Sequence, residues 1–230
     1  MDASVGGLVL GLLVGLRHAF EPDHLTAVST LVNETADARR GAILGAIWGL
    51  GHTISLVIVG VALMMLGAVL PENVAAAFEC GVAVMLIGLG ARAVVRAARD
   101  DAHAPELPHR HGPRAHAHAT DAPHIHVAGR TWRWRPLLVG LVHGLAGSGA
   151  LTALVFAQLP GTVMRVAYIA LFGLGSVAGM AIASGVAGAS LRLVANGPRA
   201  RRTLGLVTGC LSIVVGILWG IPMVQQLAGA

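Results

Sequence analysis

The sequence predicts an all-α polytopic membrane protein: six transmembrane helices in a 3+3 inverted repeat, the first helix broken. Three observations predict it. Of the 230 residues, 55% are hydrophobic and only 12% charged, and the charges cluster between long apolar runs. Those runs are long enough to cross roughly 30 Å of hydrocarbon. Short motifs also recur at nearly constant separation in the two halves.

The first span runs from about Val5 to Phe20 and continues past Pro22 towards Val32. Pro22 lacks an amide donor and pushes Glu21 out of helical geometry, so a break is expected there. The N-terminus, Met1-Asp2-Ala3-Ser4, has no basic stretch, so this run is expected to be retained as a helix rather than cleaved. The second span covers about Ala42 to Leu70 and the third about Val74 to Val95, with Pro71-Glu72-Asn73 as the turn between them. Residues 99–134 are hydrophilic. The fourth span is about Pro136 to Leu159, the fifth about Val163 to Val194 and the sixth about Leu204 to Leu227, with Pro160-Gly161-Thr162 turning between the fourth and fifth. The chain thus divides into a first three-helix unit (1–98), a cytoplasmic His-rich disordered loop (99–134) and a second three-helix unit (135–230). Thirty-one glycines favour close helix packing in lipid.

All 16 basic residues are arginine. Arg39 and Arg40, the six from Arg99 to Arg135, and Arg199, Arg201 and Arg202 fall in alternate loops, which lie on one side of a six-span protein. The positive-inside rule makes that side cytoplasmic and puts both termini outside the inner (plasma) membrane of a bacterial cell. The net charge of +5 is therefore topological, and no nucleic-acid partner is expected. The repeat reads as follows. Val14-Gly15-Leu16-Arg17-His18 matches Val139-Gly140-Leu141-Val142-His143, and Trp48-Gly49-Leu50-Gly51 matches Phe172-Gly173-Leu174-Gly175. Three spans per half invert the second half relative to the first, an arrangement common in secondary transporters.

The strongest chemical signal is His18-Ala19-Phe20-Glu21-Pro22-Asp23-His24, or H-x-x-x-x-D-H. Imidazole with carboxylate suits nickel, cobalt, zinc or iron. On an unbroken helix His18 and His24 would face apart, and the break at Pro22 lets them turn towards one ion. Asp23 has a second reading, as the cap of the restarting helix. His52 and His143 lie inside the second and fourth spans, about 15 Å and about 11 Å from their cytoplasmic ends. Buried ionisable residues are costly in lipid, so His18, Asp23, His24, His52 and His143 form the candidate metal site. Glu79, Ser148 and Thr53 are candidate access or auxiliary residues. The loop holds seven of the eleven histidines. His109, His111, His116, His118, His124 and His126, in H-x-H pairs, are candidates for capturing metal near the inner mouth. The competing reading of this loop is a solvated linker.

The segment from Gly15 to Val28 resembles the H-x-x-x-x-D-H signature of the nickel/cobalt transporter (NiCoT) superfamily. Gly51-His52-Thr53 is similar to its second motif, and His143 to Gly149 resembles a segment of the six-span, urease-accessory-type nickel permeases. The resemblance implies that His18, Asp23, His24 and His52 select the metal. It implies a transporter, not an enzyme, with Ni2+ or Co2+ as substrate, no permanent cofactor, and cytoplasmic metallochaperones as protein partners. Uptake into the cytoplasm is the expected direction and nickel/cobalt efflux the alternative, since related exporters also carry His-rich loops. A different class, a transmembrane thiol–disulfide conduit, would use Cys80 and Cys210 on the third and sixth spans. The chain has neither a P-loop nor the H-E-x-x-H of an intramembrane metalloprotease.

Overall fold

A computed structural model describes residues 3–32, 37–99, 134–146, 161–195 and 197–229, together with the backbone of four short strands between 108 and 132. Helix α1 is Ala3–His18 and α2 is Pro22–Val32; α3 is Ala38–Leu66, α4 Glu72–Ala98 and α5 Arg135–Ala146. Helices α6 and α7 are Thr162–Val194 and Pro198–Ala228. Four of these, α3, α4, α6 and α7, are long and apolar enough to cross a membrane, and α1 and α5 are shorter apolar helices. Large apolar side chains such as Leu10, Leu13, Ile58, Leu174, Val186 and Leu218 point outwards, as they do in a protein solvated by lipid. The chain is a multi-pass helical membrane protein.

The expected break in the first span is present. α1 ends at His18, Phe20 N–H donates to the Arg17 carbonyl and Glu21 N–H to that of His18, and the helix restarts on Pro22. Proline fits there because the first helical position needs no amide donor. Asp37 caps α3 by accepting from the Arg40 amide at 2.8 Å. Gly67 closes that helix in the left-handed conformation, φ 59°, returning its N–H to Met64 and so ending α3 four residues before the expected Leu70. The fourth span is described as far as Ala146, and the rest of it lies outside the described residues.

Small residues set the helix pairing. α3 and α6 run antiparallel: Gly41 meets Ser184, Gly45 meets Met180, and Thr53 donates to the Gly173 carbonyl at 3.1 Å. α5 lies parallel to α3, with Gly140 against the Trp48 carbonyl and Gly51 against that of Leu137. α1 lies parallel to α6 in the same manner, with Gly15 against the Phe172 carbonyl and Gly175 against that of Leu12. α4 and α7 form a further antiparallel pair through Gly90 and Gly209, where Ser212 donates to the Leu86 carbonyl at 2.8 Å. Short α2 sits between the two antiparallel pairs and touches all four of their helices. It buries Asp23, His24, Thr26, Ala27, Val28, Thr30 and Val32.

One expectation differs. Within 99–134, where a disordered loop is expected, Pro108–His111 pairs antiparallel with Arg114–Ala117, and Ile125–Val127 pairs with Arg130–Trp132. The physical reason lies in the H-x-H spacing: its period of two is also the period of a strand. In the first pair His109 stands opposite His116. His118 and His124 lie outside the described residues.

Candidate metal centre

Four imidazoles and one carboxylate meet where the α1–α2 break faces α3 and α5. His18 ends α1, Asp23 and His24 open α2, His52 sits mid-α3 and His143 near the end of α5. The His24 ring lies at the middle of the cluster. Its centroid is 4.4 Å from that of His18, 5.3 Å from His52 and 4.1 Å from His143, and His18 and His52 are 5.2 Å apart. The break produces this convergence, because it turns the chain between His18 and His24 and so brings both rings to one side.

Asp23 accepts from two rings. His24 Nδ1 donates to Oδ1 at 3.1 Å and His143 Nε2 donates to Oδ2 at 2.8 Å. The carboxylate thus points into the cluster rather than back along its own helix, which sets aside the capping reading. Those bonds leave His24 Nε2 and His143 Nδ1 without a partner, and both His52 nitrogens are unpartnered as well. His24, His52 and His143 are 0–2% exposed, so these four nitrogens are buried with no partner among the described residues. Such orphaned atoms cost of order 1–3 kcal/mol each, and a cation taking one lone pair from each of the three rings would offset much of that cost. His18 is 14% exposed, and its Nδ1 lies 2.9 Å from Oε2 of half-exposed Glu21. His18, beside Glu21, is therefore the most exposed member of the cluster. Ligating atoms of His18, His24 and His52 lie within 4.8 Å of one another, as do those of Asp23, His24 and His143.

All five residues expected at the site are found there. The auxiliary candidates are not among these donor groups. Thr53 spends its hydroxyl on the Gly173 carbonyl, and Glu79 accepts from Trp219 Nε1 at 2.7 Å across α4 and α7. Ser148 lies outside the described residues. Three neighbours were not expected. Glu21 holds His18, a contact its i, i+3 spacing would have signalled. Trp48, one turn before His52, stands 5.5 Å from His24 and 5.7 Å from His143 by ring centroid. Phe172, its counterpart in the repeat, stands 5.4 Å from His18. Trp48 thus borders the His24–His143 part of the cluster and Phe172 the His18 part.

The two cysteines do not form a redox pair. In the antiparallel α4–α7 packing Cys210 follows Gly209, which meets Gly90, while Cys80 is ten residues from Gly90. At 1.5 Å per residue they are about 15 Å apart along the helices, beyond any disulfide. Both are free thiols. The thiol–disulfide conduit is corrected on this ground.

The family NicO, described as high-affinity nickel-transport protein, matches residues 5–220. The chain is similar to the urease accessory protein UreH of Bacillus sp. (strain TB-90), with 31% identity over 210 residues, covering 91% of this chain and 88% of that protein. No solved structure matches.

Proposed function

This chain belongs to the NicO family of high-affinity nickel-transport proteins, and from that premise we propose a secondary permease carrying Ni2+ into the cytoplasm, with Co2+ as a second substrate. The observation that carries this reading is the closed cluster of His18, Asp23, His24, His52 and His143, rich in unpartnered nitrogen, at a helix break inside the apolar body. Nitrogen donors with one carboxylate favour a late first-row dication over Mg2+ or Ca2+. Glu21, half-exposed beside His18, marks the mouth. The name of the urease accessory relative favours supply of nickel to an enzyme, hence uptake over efflux.

The architecture of the reading is six spans in two inverted halves, in the inner membrane of a bacterium, both termini outside. Helix directions support it. α3 and α6 are antiparallel, as are α4 and α7. α1 follows α6 while α5 follows α3, so α1 and α5 also oppose each other. The matching contacts Gly51 to Leu137 and Gly175 to Leu12 repeat the same packing at offsets of 124 and 125 residues. Rocking of one half on the other would expose the site alternately. The loop histidines, including His109, His111, His116 and His126, would gather nickel at the inner mouth for cytoplasmic metallochaperones.

The test is radioactive nickel flux into proteoliposomes of the purified protein, with cobalt and zinc as competitors. Saturable uptake above empty vesicles, reduced by cobalt more than by zinc, is expected. Flux equal to empty vesicles would sink the reading. The double variant Cys80→Ser, Cys210→Ser is expected to transport nickel at the native rate. A large loss would mean that the thiols take part after all.

A further inference from the structure

The site is not one shell of five donors. It separates into two groups of three that share a single ring: His18, His24 and His52, and Asp23, His24 and His143. The groups differ in chemistry. The first offers three imidazoles, while the second offers a carboxylate and two imidazoles. They also differ in access. The first includes His18, which is 14% exposed beside Glu21, whereas Asp23, His24 and His143 are sealed.

Geometry keeps the groups distinct. The Asp23 oxygens face His24 and His143. The His52 and His143 rings are 6.1 Å apart, while His24 approaches both more closely, at 5.3 and 4.1 Å. Hydrogen bonds of 2.8 and 3.1 Å already gather the His143 and His24 rings round the Asp23 carboxylate.

We propose that a transported dication stops twice in this cluster, first among His18, His24 and His52 and then among Asp23, His24 and His143, with His24 as the ligand common to both stops. The inference rests on the nickel-permease reading. A shared ligand suits transport, because a site that holds an ion with every donor at once releases it slowly, and conduction needs binding weak enough to leave. The carboxylate draws the ion onward, since the second stop supplies the negative charge that a dication in a closed apolar body requires. His143 and Asp23 are thus needed for passage, and His18 and His52 for loading.

The experiment compares full-length native protein with His143→Ala, measuring Ni2+ binding in detergent by titration calorimetry and Ni2+ flux in proteoliposomes. The expected result is a split. His143→Ala binds one Ni2+ per chain within about threefold of native affinity, yet its flux falls at least about tenfold, the effect of losing a metal-site partner. X-ray absorption of that variant shows nitrogen donors without the carboxylate. Because removing His143 strips a partner from buried Asp23, Asp23→Asn serves as a second variant that leaves no buried charge, and the same split is expected. Binding and flux lost in parallel in a well-folded Asp23→Asn protein would overturn the two-stop scheme in favour of a single site. Native flux in either variant would overturn it too. A native protein that neither binds nor carries nickel would overturn the permease reading, and the two stops with it.

Discussion

His24→Ala is expected to lower nickel flux at least about a hundredfold while the protein still reaches the membrane, more than the roughly 10–100-fold typical of losing an outer-shell partner. The reason is position. Both donor groups contain His24, and its ring is the one within 5.3 Å of His18, His52 and His143 alike. Without it each group keeps two donors, too few to replace the water shell of a dication. The side chain lies at the start of short α2, and its orphaned Nε2 means that alanine removes an unsatisfied atom as well as packing. Insertion should therefore survive. Flux of the variant in proteoliposomes, beside the Cys80→Ser, Cys210→Ser protein as control, decides the matter. Retention of more than a tenth of native flux would mean that the ion passes elsewhere.

Gly140→Ala is the second large effect. A methyl group there would overlap the Trp48 carbonyl oxygen and come within 2.9 Å of the His52 amide nitrogen. Both contacts are helix backbone, which cannot turn aside as a side chain can. α5 must move off α3, carrying His143 away from the cluster. Overpacking of this kind costs about 1–3 kcal/mol, and flux should fall with it. The same substitution at Gly81, on α4, meets nothing within 4 Å. There, alanine is expected to be neutral or to stabilise by up to about 1 kcal/mol through helix propensity. Thermal unfolding midpoints of the two variants in one detergent make the comparison. Equal midpoints would show that the α3–α5 contact has slack.

Much of the site was legible in the chain because its signals are local. Pro22 announces the break, and H-x-x-x-x-D-H places three donors around it. His52 and His143 stand out because ionisable groups are costly in apolar spans. What was not legible depends on tertiary contact. Nothing in the order of residues shows that Asp23 links His24 to His143, 120 residues away, or that Glu79 is taken by Trp219. Trp48 and Phe172 read as ordinary apolar residues until the helices around them are placed. In the long hydrophilic stretch composition argues for a loop, while the alternation in Pro108–His111 also suits a strand, so local pattern alone does not choose between them. The end of α3 at Gly67 was missed because a glycine in so glycine-rich a chain carries little weight as a stop signal.

The crossed packing of leading helices has a consequence for biosynthesis. α1 is held by α6 and α5 by α3, so neither half encloses its own donors. A ribosome that has delivered the first hundred residues to the bilayer has already made His18, Asp23, His24 and His52. It has not yet made Phe172, nor the α6 surface that clasps α1. At that stage α1 has no partner helix to fix His18 against His52, and the three rings are not yet gathered. The cluster is assembled late, when the C-terminal helices lock the earlier ones into register.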